Sequence, residues 1–410
     1  MEQRQEFVLL ASQPGAKIAP LARRFGISRK TAYKWLGRYR TEGISGLANR
    51  SRRPLRFPAQ TPPAMELAVT NLRDEYDAWG GRKLQRVLEN KRAAGTLDGV
   101  DGLRIPAAST ITRILDRHGM LDPEKSEAQT PLKRFERSTP NALVQMDFKG
   151  DVHLGNRTKS YPLTMLDDYS RFNLCLQSCS NQRHDTVKGH LQTVFRRYGL
   201  PEAMLMDNGT PWAHSYGVLT RIELWLLRLG IQVIHGRVSH PQTQGKEERF
   251  HLTLKTEVLK GRIYQDSAAL QQAFDHWRQV YNFVRPHEAR GLDCPGAHYR
   301  ISDRPFPEQL PTVEYESDTL VRKVRDNGYI SFQGTSWFVS ETLRQEPIAL
   351  RATQMDGVYA VCYGTFVIGI LDCTKNEGNQ SSYRRIQRYR SAQQIGTHGR
   401  ALIYEENIIA

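Results

Sequence analysis

At 410 residues the chain is long enough for about two to four domains of roughly 100–200 residues each, and no run approaches the ~20 apolar residues of a membrane span. Its net charge of +15 and pI of about 9.6 imply an anionic partner. Cys175, Cys179, Cys294, Cys362 and Cys373 form no C-x-x-C pair and no zinc-ligand spacing. With no opening signal peptide, they read as reduced thiols of a cytosolic protein.

The first predicted element is a short helix, because Ile18, Leu21, Ala22 and Phe25 fall at i, i+3, i+4 and i+7. Gly26-Ile27-Ser28 then turns the chain, and Ser28 is placed to cap a second helix over 29–39. Ala32, Leu36 and Tyr39 give that helix an inner face. Arg29, Lys30, Thr31, Tyr33, Lys34 and Arg38 are left outward, as donors for phosphates and base edges of a major groove. Residues 1–50 therefore read as a DNA-binding helix-turn-helix. An ordinary helical hairpin has the same periodicity. What tips the reading to DNA is charge: residues 1–60 hold thirteen Lys and Arg against three Glu. A basic linker follows at 51–61, in which Arg52 and Arg53 could track a backbone or minor groove.

Residues 62–121 read as a second helical unit. Met65, Leu67, Ala68 and Leu72 support one helix, 81–88 another and 106–115 a third, with Ser109, Thr110 and Arg113 outward. The unit suits either a second helix-turn-helix or a packing domain. Residues 122–140 form a linker.

From 141 to 300 the pattern alternates. Strands are expected at 143–152, 163–168, 172–179, 203–206 and 231–234, and helices at 185–198, 216–229 and 246–260. Two of these strands carry a misfit: Asp147 interrupts one apolar run and Asp207 ends another. Glu248 opens a helix after a polar loop. An unpaired acid in an apolar run is costly, and three acids brought together could hold divalent metal through oxygen. Glu247 is the neighbour, turned by about 100° on the helix, so only one of the two glutamates is expected to face the aspartates. Lys255 lies two turns beyond Glu248 on the same face and could hold a phosphate. A solvated surface lysine is the plainer reading. Asp151 and Asp168 are read as structural hydrogen-bonding acids, Glu223 as a surface residue, and His235 and His240 as ordinary satisfied histidines.

The tail changes period. Residues 311–372 alternate apolar and polar between turn pairs such as Asn327-Gly328 and Asp356-Gly357, which suits a small β-barrel. Residues 373–410, with Arg384, Arg385, Arg388 and Arg390, read as a basic extension ordered on DNA or a partner.

The three acids and their flanks resemble the catalytic core shared by retroviral integrases and bacterial insertion-sequence transposases. Asp147 matches the first aspartate, Asp207-Asn208-Gly209 the second with its Asn-Gly, and Gln244-Gly245-x-x-Glu248 the glutamate motif. The stretches 161–172 and 281–287 resemble further core segments. Forty residues separate Asp207 from Glu248, more than in the commonest version. The integrases' N-terminal zinc module is missing, since residues 1–140 hold no cysteine and one histidine, His118.

The resemblance implies a multidomain α+β chain: N-terminal helix-turn-helix modules, an RNase H-like α/β catalytic core and a C-terminal small β-barrel. It implies a DNA transposase, a polynucleotidyl transferase of the DDE type, that binds an element's terminal repeats, cleaves at its ends and joins the 3′-OH ends to target DNA. Asp147, Asp207 and Glu248 would be both catalytic residues and ligands of two Mg²⁺ or Mn²⁺ ions. Gln242, Gln244, Lys246 and Lys255 would meet the DNA end. A dimer or tetramer should form on DNA near the bacterial nucleoid, with an accessory ATPase as a further partner. The alternative is a repressor-like, sequence-specific DNA-binding protein whose integrase-like core is inert. A simple RNase H-class nuclease is disfavoured by the added modules.

Overall fold

The computed structural model describes residues 2–50, 60–121, 136–207, 219–235, 245–374 and 383–394. It divides into two compact units, 1–61 and 62–410. In the first, α1 (Glu2–Ala11), α2 (Ile18–Arg24) and α3 (Arg29–Glu42) pack around Phe7, Val8, Ala22, Ala32, Trp35 and Leu36. Ser28 caps α3 by accepting the Thr31 N–H at 3.1 Å, which satisfies one of the free donors of the first turn. The helix runs to Glu42, past its expected end at 39, and stops at Gly43 with φ 64°, a conformation that favours glycine. The run around Phe7 is continuous rather than periodic, so the sequence pattern leaves α1 unmarked.

The second unit begins with α4 (Pro63–Glu75), α5 (Gly81–Ala93) and α6 (Ala108–Arg117) around Met65, Val69, Trp79, Leu84, Leu88 and Ile111. A Cβ on Gly81 would stand 2.4 Å from the Ala108 carbonyl oxygen, so the start of α5 can approach α6 only with glycine there.

The central sheet is built from β1 (Val144–Phe148), β2 (Val152–His153), β3 (Lys159–Asp167), β4 (Asn173–Cys179), β5 (Ala203–Met206) and β6 (Gln232–His235), linked by α7 (His184–Tyr198) and α8 (Arg221–Arg228). β1, β3 and β4 pair antiparallel, and β5 and β6 continue the sheet parallel to β1. Val144, Met146, Leu163 and Met165 turn to the face covered by α7 and α8. Leu166 and Leu176 meet the other face, covered by α9 (Gly245–Leu254) and α10 (Ser267–Phe283). One turn of π-helix, Lys255–Leu259, extends α9. Val280 and Val284 on and after α10 pack against the helical unit, so that unit is docked on the core.

The tail holds β7 (Leu320–Lys323), β8 (Tyr329–Phe332), β9 (Thr335–Phe338), β10 (Pro347–Ala352), β11 (Val358–Tyr363), β12 (Phe366–Asp372), β13 (Tyr383–Arg385) and β14 (Gln387–Gln394). They form a five-stranded sheet, β14-β12-β11-β10-β7, and a three-stranded sheet, β13-β9-β8. The described pairings do not close into the expected barrel, because β7 and β14 remain separate edges. Part of the expected extension is sheet. β13 and β14 lie within it, Ile386 is buried, and the guanidinium groups of Arg384 and Arg385 stand 5.5 and 4.8 Å from the Trp337 and Phe338 rings. Alternation with aromatic partners therefore orders basic residues that composition alone assigns to a charged tail.

Candidate active site

The register of the sheet brings the two aspartates together. Met146 pairs with Met206 in the parallel β1–β5 ladder, so Asp147 and Asp207 are the next residues along adjacent strands. Side chains alternate along a strand. With Met146 turned to the α7 side, Asp147 faces α9, which carries Glu248. Asp147 is half-buried and accepts the Phe148 N–H at 2.7 Å. Its carboxyl is pushed up to about 6, first by burial and then by the negative charges of Asp207 and Glu248. Glu248 itself is exposed.

Both glutamates of α9 come near Asp147, contrary to the expectation that only one would. Glu248 lies on the solvent side. Glu247 lies beneath, 2% exposed, where the Thr164 hydroxyl donates to its Oε2 at 3.2 Å. Burial, then the charge of Asp147, holds the Glu247 carboxyl well above the usual range. Thr164 is the cross-strand partner of Asp147 and also meets His251 Nε2 at 2.9 Å. Residues 247 and 251 are one turn apart on the inner face of α9, which the side chain at 248 leaves by about 100°.

The remaining sequence-selected residues are distributed as follows. Lys246 pairs with buried Asp168, whose carboxylate also accepts the Arg137 N–H at 2.7 Å and Gln145 Nε2 at 2.8 Å; the ammonium is engaged inward. Lys255 is exposed at the start of the π turn. Arg29, Lys30, Tyr33 and Lys34 are exposed on α3, with Thr31 and Arg38 half-buried, and Ser109 and Arg113 are exposed on α6, with Thr110 half-buried. Arg52, Arg53, His240, Gln242 and Gln244 lie outside the described residues. Asp151 pairs with Lys159 at 2.7 Å. Glu223 is not at the surface. It is buried, closes a capping box with Thr220 and meets His235 at 3.0 Å. The residues the sequence did not select are Thr164, His251, Glu223 and His235, since each is defined by contacts between segments distant in the chain.

Three carboxylates supply hard oxygen donors of the kind Mg²⁺ and Mn²⁺ prefer. Burial raises Asp147 most, and the smaller contribution from Asp207 and Glu248 is a repulsion that a divalent cation would relieve. The donor chemistry of the three carboxylates suits a divalent metal, while among the described residues no group of three or more His, Cys, Asp or Glu side chains is arranged to hold one.

Family comparisons match the Integrase core domain at 137–241 and again at 229–295, a Helix-turn-helix domain at 3–54, a Homeodomain-like domain at 31–115 and the IS481 family transposase C-terminal domain at 319–379. An uncharacterized 39.2 kDa protein of insertion element IS476 from Xanthomonas euvesicatoria is 23% identical over 70% of this chain and 80% of its own length. An uncharacterized 31.7 kDa protein of insertion element IS407 from Burkholderia multivorans is 22% identical over 63% and 91%. Together these matches support an insertion-sequence transposase with an integrase-type core. The chain is also 31% identical to the Gag-Pro-Pol polyprotein of Mason-Pfizer monkey virus over 35% of its length, which spans 8% of that polyprotein. Among solved structures, it overlays an intasome of simian T-cell lymphotropic virus at 15% identity, over 76% of the chain and 98% of the other, with a TM-score of 0.34. The HTLV-2 integrase catalytic core domain in complex with magnesium overlays at 14% identity, over 40% and 99%, with a TM-score of 0.30. Both overlays are loose. The family matches place helix-turn-helix and homeodomain-like domains ahead of an integrase core, which supports a polynucleotidyl transferase.

Proposed function

We propose that this transposase binds the terminal repeats of its mobile element, cleaves at the element's ends and joins the freed 3′-OH ends to target DNA. The observation that carries this reading is the convergence of Asp147, Asp207 and Glu248 from three distant segments, near enough for the last two to raise the first. These three residues would hold two Mg²⁺ or Mn²⁺ ions, which supply charge neutralisation and activation of the attacking oxygen in phosphoryl transfer. β1 fixes Asp147 on a buried sheet, Asp207 directly follows the end of β5, and α9 presents Glu248 to solvent, where a DNA end can reach it. Exposed Lys255 would take a phosphate beside the site. The exposed cations of α3, with Arg52 and Arg53 in the linker, would hold the repeat, and Gln242 and Gln244 would sit at the DNA end. Ser109, Thr110 and Arg113 on α6 would lengthen the sequence read, since linked modules raise each other's effective concentration. Cutting and joining two ends requires at least a dimer on DNA. The natural setting is the bacterial cytoplasm, at the nucleoid.

The test compares wild type with Asp147→Asn, Asp207→Asn and Glu248→Gln on a labelled element end and a supercoiled target, with Mg²⁺ or EDTA. Metal-dependent nicking and joining should fall by about 10³-fold or more in each variant, the scale set by removing a group that acts on the transition state, while end binding survives. Tight end binding without any nicking or joining by wild type would instead leave a DNA-binding protein with an inert core.

A further inference from the structure

We infer that His235 and Glu223 are a positioning pair for Asp207, an inference that rests on the reading of Asp207 as a metal ligand. β5 ends at Met206, whose ladder partner in β6 is His235. Asp207 is therefore one residue beyond the paired strand, where the sheet no longer fixes its peptide. The His235 side chain reaches across to it, Nδ1 standing 3.0 Å from the Asp207 carbonyl oxygen. A carbonyl only accepts, so Nδ1 carries the proton and donates. The other ring nitrogen stands 3.0 Å from Glu223 Oε1, within hydrogen-bond reach.

Glu223 is in turn fixed at both ends of its job. Its Oε2 accepts the Thr220 N–H at 2.5 Å, and its own N–H donates to the Thr220 hydroxyl at 3.2 Å, which locks the carboxylate to the first turn of α8. The start of α8 is itself tied to the C-terminal domain, where Thr342 donates to the Leu219 carbonyl at 2.6 Å. The His235 and Glu223 side chains are 2% and 4% exposed. A capping box needs no burial and no histidine, and a buried polar pair is a poor source of stability compared with apolar packing. What the arrangement does secure is direction. It holds the peptide of Asp207, and through it the carboxylate, at the place where the ladder stops. Partners of this kind orient ligands that touch the metal.

The test is a Mn²⁺ titration of the full-length protein without DNA, read by electron paramagnetic resonance of the free ion, with end binding as the control for folding. Asparagine places its amide nitrogen where Nδ1 stood and glutamine places it where Nε2 stood. His235→Asn should therefore stay near the wild-type affinity, while His235→Gln weakens it by about 10-fold or more, the scale for groups behind a metal ligand. Glu223→Gln, which keeps the cap, should weaken it in the same direction. Asp207→Asn is the reference for loss of the ligand. If Asp207→Asn loses Mn²⁺ affinity but His235→Gln and Glu223→Gln keep it, the positioning role is overturned and the metal site stands. If Asp207→Asn itself leaves the affinity unchanged, the reading of Asp207 as a ligand fails first and the positioning role falls with it.

Discussion

Glu247 and Glu248 show how far one residue can change an acid's role. Both are close to Asp147, yet one is buried among Thr164 and His251 and the other faces water. Burial favours the uncharged carboxyl, and an amide is nearly the same shape. Glu247→Gln should therefore leave the denaturation midpoint and end binding close to wild type and retain measurable joining, whereas Glu248→Gln should abolish it. Loss of joining in Glu247→Gln as complete as in Glu248→Gln, with the fold intact, would refute this division. The motif spacing singled out Asp147, Asp207 and Glu248 from sequence. It did not reveal that Glu247 also comes near, because which face of α9 turns inward is set by its packing on the sheet, where Glu247 meets Thr164 and His251. Glu223 and His235 were illegible for a related reason: a lone histidine and a helical glutamate have ordinary surface readings until a strand and a helix bring them together.

At the scale of elements, the decisive joint is where the helical unit meets the core. Glu257, in the π turn after α9, accepts Trp79 Nε1 at 3.1 Å, Arg285 Nε at 2.9 Å and Trp277 Nε1 at 2.9 Å. Trp79 comes from the connection between α4 and α5, so one carboxylate ties the helical unit, α10 and the helix of Glu248. Glu257→Ala would leave Arg285 buried without its partner and should destabilise the second unit by about 3–5 kcal/mol, read as a lower urea midpoint by tryptophan fluorescence. An unchanged midpoint would remove Glu257 from this role. The same joint is acid-sensitive. Burial, then the charges of Arg285 and Lys83, lowers His287 to about 2. Its folded value is below its unfolded value, so below pH ~6.5 the unfolded chain takes up a proton that the folded chain refuses. Stability is thus present above pH ~6.5 and falls with acid, by about 2 kcal/mol at pH 5 for this group alone. His287→Gln should flatten the difference in midpoint between pH 7 and pH 5; equal slopes in the two proteins would count against it. The periodicity of α4, α5 and α6 was visible in the sequence, but the joint was not, since its donors come from residues 79, 277 and 285.

For the molecule as a whole, net charge of +15 has consequences only where the cations are free to meet DNA. Each phosphate contact adds about one to the slope of log affinity against log salt. Lys30→Ala on α3 and Arg113→Ala on α6 should each lower that slope by about one. Arg384→Ala should leave it unchanged, because its guanidinium lies over Trp337. A slope unaltered by Arg113→Ala would assign the helical unit to packing alone. Composition, period and motif spacing together pointed to a basic chain with an anionic partner, the helical pair at 18–39, the alternating core and three acids within it. These signals are local, so a helix stripe, a strand run or a short motif records them directly. The tertiary structure alone decided that the tail forms two sheets which include β13 and β14, that Glu247 lies beneath Asp147, and that His235 holds Asp207. Each of those depends on register and packing between segments far apart in the chain, and burial there reverses what the same residues would do in water.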